Sequence, residues 1–92
     1  MTTEVIHEPV AHRYVILIDG AETGEASYVT RGDELMITHT FIDPSHRNEG
    51  LGSVLVRSAI DDVIATSAQR VTSGCSYVTA WLNAHPSYST LG

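Results

Sequence analysis

The chain has 92 residues, 42% of them hydrophobic, with five arginines, no lysine and a net charge of −6. That length makes one domain, 1–92, with a small core, and the charge balance argues against a nucleic-acid footprint, which needs clustered cations. No apolar run nears the roughly 20 residues of a membrane span, and residues 1–4 lack the positive start of a leader peptide, so a cytoplasmic protein without membrane contact is expected.

Residues 1–11 have no clear period and read as partly loose. The run 13–18 (Arg-Tyr-Val-Ile-Leu-Ile) is β-branched and aromatic, which predicts a first strand. Asp19-Gly20 ends it with turn chemistry. A weaker second strand is expected over 25–30. Arg31-Gly32-Asp33 turns the chain back into a third over 34–42. By simple alternation Leu35, Ile37, His39 and Phe41 share one face of that strand; Met36, Thr38, Thr40 and Ile42 share the other. Pro44 cannot donate to a ladder and stops it. Across 51–68, Leu51, Val54, Leu55, Ala59, Ile60, Val63 and Ile64 recur at three and four residues, predicting a helix with one buried stripe; Ser53, Arg57, Asp61 and Asp62 take its wet side. A short strand is expected over 71–73. Gly74 breaks it, 76–84 suits a second, short helix limited by Pro86, and 87–92 reads as a tail. The order is βββαβα. It predicts an α+β fold: an antiparallel three-stranded meander, a central helix, one further strand parallel to the third through a right-handed crossover, and a short C-terminal helix.

Between the third strand and the central helix lies Arg47-Asn48-Glu49-Gly50-Leu51-Gly52. A strand, a glycine-bearing turn and a helix N-terminus make a ready anion site, because backbone N–H groups and the helix dipole both favour negative charge there. Glycines let the backbone approach a ligand where a Cβ would hold it off. Taken alone, Arg47-x-x-Gly50-x-Gly52 is equally a loop with a helix start; its place between a strand and a patterned helix favours the anion site.

With that motif, with His39-Thr40-Phe41 before it and with Cys75-Ser76-Tyr77-Val78 and His85-Pro86-Ser87-Tyr88 after it, the chain resembles the GNAT superfamily of acetyl-CoA-dependent N-acetyltransferases, and within it a small single-domain branch. The resemblance covers roughly 13–92. It implies acetyl-CoA as co-substrate and an amine as acceptor. The amides of Arg47, Asn48, Glu49, Gly50, Leu51, Gly52 and Ser53 would bind the CoA pyrophosphate, with Arg47 adding charge. The backbone of Thr40, Phe41 and Ile42 would pair with the pantetheine arm, which runs into a gap between the third strand and 71–73. Most members of the superfamily carry one or two helices between their first strands. Here 19–24 is only a loop, so the acceptor pocket is shallow or is completed by a second subunit in a homodimer.

Three side chains are candidates for the chemistry. Cys75 stands at the expected N-terminal edge of the short helix, where the dipole lowers a thiol pKa; its plainer role is a small buried hydrophobe. His39 is a candidate general base with a pKa near neutrality, though a histidine on an apolar face more often belongs to the core. Tyr77 is a candidate acid for the leaving thiolate by the resemblance, or a packing residue. The transfer is either direct or through an acyl-cysteine. The alternative is a CoA-binding or protein-interaction module without catalysis. Cys75 is the one cysteine, which excludes an internal disulfide and any multi-cysteine zinc site. Lysine is absent, so self-acylation has no lysine target. His39, Asp43 and His46 match no ligand pattern, and no metal is expected. Trp81 reads as core, His85 as a helix stop, and His7 and His12 as exposed.

Overall fold

The computed structural model describes residues 2–47, 49–66 and 69–89. Five strands form one sheet in sequence order: β1 (Thr3–Glu8), β2 (Arg13–Ile18), β3 (Ala21–Arg31), β4 (Glu34–Ile42) and β5 (Arg70–Ser73). The first four run antiparallel, and β5 lies parallel to β4. A short 3₁₀ turn (Pro44–His46) and helix α1 (Leu51–Thr66) make the crossover between β4 and β5; α2 (Ser76–Ala84) and α3 (Pro86–Ser89) follow. The meander, the central helix, the parallel strand and the short helix therefore stand as the sequence predicts.

The differences have local causes. Residues 3–8 form an edge strand paired along its length with β2, where the sequence left 1–11 loose. Val5 is the one hydrophobic side chain of β1 that packs against the core, so the strand carries little hydrophobic period to read. The hairpin turn at Asp19-Gly20 is tight, and β3 runs on from Ala21 rather than beginning at 25. Pro86 opens α3 where a tail was expected; its fixed φ suits a first helical turn. The expected helix end at 67–68 lies outside the described residues, as do 90–92 of the expected tail.

One hydrophobic cluster joins the sheet to α1 and α2. Its fully buried members include Ile16, Ile37, Leu55, Val56, Ile60 and Val78. On β2, Tyr14, Ile16 and Ile18 enter this cluster, as alternation requires. On α1 the buried residues are Leu51, Leu55, Val56, Ala59, Ile60 and Val63. The buried arc is thus rotated from the expected stripe: Val56 is inside, while Val54 and Ile64 are 42% and 50% exposed. Ala59 sits within that arc and lets the helix lie close to the sheet.

The largest correction is in β4. The pairing with β3 slips between Ser27 and Tyr28, so that Ile37 faces Tyr28, His39 faces Ser27 and Thr38 is the extra residue. This is a β-bulge, which re-aims the side chains that follow it. The Thr38 hydroxyl donates to the Ser27 carbonyl at 3.4 Å and holds the kink. Leu35 and Ile37 are buried as expected, but beyond the bulge it is Thr40 and Ile42 that turn inward. His39 and Phe41 are exposed. His39 thus does not share the face of Leu35 and Ile37.

Candidate functional site

β5 pairs with β4 only from Glu34 to Ile37, and the Gly74 amide makes one more bond to the Ile37 carbonyl at 2.8 Å. Beyond that point β4 continues through residue 42 while the chain after Gly74 turns into α2. The two strands part, and a cleft of about 360 Å³ opens at the parting. Thr40, Phe41 and Ile42 wall one side; Gly50, Leu51 and Gly52 wall the other. His46, Arg47 and Tyr77 complete the lining.

The loop is held by short-range bonds. The Asp43 carboxylate accepts from the Ser45 amide at 2.9 Å and the Ser45 hydroxyl at 2.7 Å, capping the 3₁₀ turn. Those bonds hold its pKa below the usual carboxylate value. Arg47 Nε donates to the Ile42 carbonyl at 3.2 Å, folding the loop back onto the end of β4. His46 pairs with Glu49 at 3.2 Å. Gly50 has φ +76°, a left-handed angle that a side chain disfavours. Its carbonyl then accepts the first α-helical bond, from Val54. The first turn of α1 holds no acidic side chain to cap its own amides.

Gly52 has a different reason to be glycine. A Cβ there would lie 2.5 Å from Tyr77 Oη and 2.9 Å from its Cζ. The phenol rests against the first turn of α1, and the partial burial of Tyr77 pushes its pKa up. Close by, Trp81 Nε1 donates to Ser53 Oγ at 2.8 Å, and the Trp81 ring is buried. Ser53, expected on the wet side, is thus a link between α1 and α2. His85 stacks on Trp81 at 4.0 Å and bonds its carbonyl, which ends α2.

Cys75 is the N-cap residue of α2, with extended backbone angles and no close capping bond from its side chain. Its Sγ lies 3.6 Å from Thr40 Oγ1, across the parting of the strands. Burial, the largest single influence, pushes the thiol pKa up. The Val78 amide, the Thr40 hydroxyl and the amides of Tyr77 and Thr40 outweigh it, and the net shift is down. Thr40 and Tyr77 thus line the cleft, whereas Cys75 touches Thr40 from beside it and is not among the lining residues. His39 stands apart from Cys75, because the bulge turns it to the other face; the imidazole at the cleft is that of His46. Asn48 lies outside the described residues. Among those described, no group of three or more His, Cys, Asp or Glu side chains is placed to hold a metal, and no helix is long and apolar enough to cross a membrane.

A second polar cluster, unread in the sequence, ties β1 and β2 to α1. His7 stacks on Tyr14 at 4.3 Å, and its Nε2 lies 2.6 Å from the Tyr28 hydroxyl. Tyr14 donates to Asp62 Oδ2 at 2.7 Å, and His7 Nδ1 is 3.5 Å from the same oxygen. Burial, reinforced by Asp62, drives the Tyr14 phenol far above its ordinary pKa. No periodicity reports such a cluster, since its members come from four elements.

A family model described as GCN5-related N-acetyl-transferase matches residues 13–91. A Bacillus subtilis (strain 168) protein named as a [ribosomal protein bS18]-alanine N-acetyltransferase is 33% identical over 69 residues, covering 75% of this chain and 46% of that one. In fold, the chain is similar to the ribosomal-protein-S18-alanine N-acetyltransferase of Escherichia coli, with TM-score 0.67, 17% identity, and coverage of 79% of this chain and 50% of that one. It is also similar to the N-acetylglutamate synthase of Neisseria gonorrhoeae complexed with coenzyme A and N-acetyl-glutamate, with TM-score 0.66, 19% identity, and coverage of 83% and 18%. The chain spans about half the length of the alanine N-acetyltransferases it matches. The chain belongs to the GCN5-related N-acetyltransferase family.

Proposed function

We propose that this member of the family is an acetyl-CoA-dependent N-acyltransferase that moves an acetyl group to an amine. The observation that carries the reading is the parting of β4 from β5 directly beside the glycine loop at the start of α1. A long ligand with an anionic middle and a linear arm fits such a place. The N–H groups of 49–53 and the Arg47 charge would hold the pyrophosphate. The open edge of β4 at Thr40 would pair with the arm as a further strand does. Acetyl-CoA supplies the acetyl thioester. Tyr77 in the lining, and Cys75 beside the cleft against Thr40, support these two side chains as the ones that would meet the thioester.

Two routes fit these residues. In one, an amine attacks the thioester carbonyl directly and the C–S bond breaks; the CoA sulfur takes a proton from Tyr77, and the proton lost by the amine passes through solvent to restore the Tyr77 phenol. In the other, the Cys75 thiolate attacks first, its new C–S bond replacing the one to CoA, and the amine then displaces the cysteine. The acceptor is an amine of a small molecule or a protein; a protein alanine is the first to test, after the names of two relatives. The tight Asp19-Gly20 turn puts no helix between β2 and β3, which favours an acceptor face completed by the acceptor itself or by a second copy of the chain. The same observation supports the second reading, a CoA-binding module without catalysis.

Isothermal titration with CoA and acetyl-CoA is the deciding experiment. Micromolar binding is expected, and no measurable binding would end both readings. Mass spectrometry after incubation with acetyl-CoA then separates them. An acetyl group on Cys75, or CoA release on adding an amine, supports transfer. Binding with neither, across a broad amine panel, leaves the module.

A further inference from the structure

We propose that Thr40 is a positioning residue for Cys75: its hydroxyl donates to the cysteine sulfur across the gap between β4 and α2, fixes the sulfur in place and favours its thiolate form. This role rests on the acetyltransferase reading for its purpose, but its geometry stands alone. By simple alternation Thr40 would face away from Leu35 and Ile37. The bulge at Thr38 advances the phase by one residue and turns Thr40 onto the helix side of the sheet. There it meets Cys75 at 3.6 Å, an ordinary separation for a hydrogen bond to sulfur.

The backbone at both ends is fixed. On the cysteine side, Ser73 Oγ donates to the Cys75 carbonyl at 2.8 Å and accepts from its amide at 3.4 Å. On the strand side, the Ile42 carbonyl reaches Arg47, which sets the gap-facing edge of β4; two residues earlier Thr40 presents its own N–H on that edge. On that edge the Thr40 hydroxyl meets the sulfur at 3.6 Å, and the Thr40 amide also favours the thiolate form. Charged side chains on the surrounding elements are engaged elsewhere. Glu34 of β4 accepts from Thr72, Arg70 of β5 is near Asp33, and Asp61 and Asp62 of α1 accept from Tyr88 and Tyr14. His39 is turned away by the bulge, and the Tyr77 phenol, pushed up by burial, stays neutral around pH 7. Neutral donors, and Thr40 first among the side chains, are what oppose the burial of the sulfur.

The test is the pH profile of Cys75 alkylation by iodoacetamide, read by intact mass. The chain has one cysteine, so the signal is unambiguous. A hydrogen bond to a charged group is strong enough that Thr40→Val should slow alkylation at pH 7 by about tenfold and move the profile up by about one unit. Thr40→Ser should restore the wild-type profile. Superimposable wild-type and Thr40→Val profiles would overturn the proposal. So would a Thr40→Ser protein as slow as Thr40→Val, because the loss would then be one of packing. If far-UV circular dichroism finds Thr40→Val unfolded, Thr40→Ala is read in its place. Acetyl-CoA titration of the wild-type protein keeps the two readings apart: a profile shifted by Thr40→Val, with no acetyl-CoA binding to the wild type, ends the acetyltransferase reading and leaves the Thr40 role standing.

Discussion

The two ends of the sheet are built on opposite principles. At the β4–β5 end the strands part, and the cleft is walled by the end of β4, the glycine turn, His46, Arg47 and one half-exposed phenol. At the β1–β2 end the strands are fully paired, and the cleft of about 340 Å³ between sheet and helix is lined by a side-chain network in which His7, Tyr14, Tyr28 and Asp62 bond one another. A ligand site needs unpaired backbone donors and room. Stability needs buried rings and satisfied hydroxyls. In so small a chain the two needs are met in separate places, and substitutions should respect the division.

The largest effect is expected at Gly50. A valine there must hold a left-handed angle that a β-branched residue strongly resists. The loop would shift, and the first-turn amides would lose their aim. Losing one or two charge-assisted bonds corresponds to about 10- to 100-fold in CoA affinity. Titration calorimetry measures it, and a Gly50→Val protein that binds CoA as well as wild type would break the assignment of this loop. Gly52→Ala should be milder, because the half-exposed Tyr77 can swing away from the new Cβ. Gly52→Val should approach Gly50→Val.

Much of this end was legible. Gly50 and Gly52 stand in a motif whose chemistry is local, so that spacing and flanking elements suffice to place it. The bulge at Thr38 was not legible, because a register slip is decided by the neighbouring strand rather than by the residues that slip. It moved His39 out of the expected face and brought Thr40 in. β1 was missed for a related reason: an edge strand with one core-packed residue, Val5, has almost no alternation to detect. The network at the fully paired end was invisible as a unit, since Tyr14 and Asp62 are 48 residues apart in sequence.

Next in size is the fully paired end itself. Tyr14→Phe removes the donor to Asp62 from a ring that is 3% exposed, and should lower stability by about 1–2 kcal/mol. Urea unfolding measures this, and CoA affinity should not change. The sign of the pH effect follows from the raised phenol pKa. Below the ordinary phenol value, about 10, both folded and unfolded chains keep the proton and the contribution is whole. As pH rises past that value the unfolded chain loses its proton first, and stability falls. The wild-type urea midpoint should therefore decline between pH 9 and 11 more steeply than that of Tyr14→Phe. Parallel curves would place the alkaline sensitivity elsewhere.

The smallest effect tests whether the two ends are independent. Trp81 belongs to neither, yet its Nε1 bonds Ser53 beside the cleft, and its ring meets Tyr88, which donates to Asp61, the neighbour of Asp62. Trp81→Phe keeps most of the buried ring and removes one neutral hydrogen bond, a loss of about 1 kcal/mol or less. CoA affinity should fall by no more than about twofold, because the backbone of the first turn is held by Gly50 and the helix rather than by Ser53. Combined with Tyr14→Phe, the two losses should add to within about 0.5 kcal/mol, as separated sites do. A larger coupling in the double variant would mean that the aromatic chain from Trp81 through Tyr88 to Asp61 transmits strain between the β4–β5 cleft and the fully paired end, and the division drawn above would fail at that link.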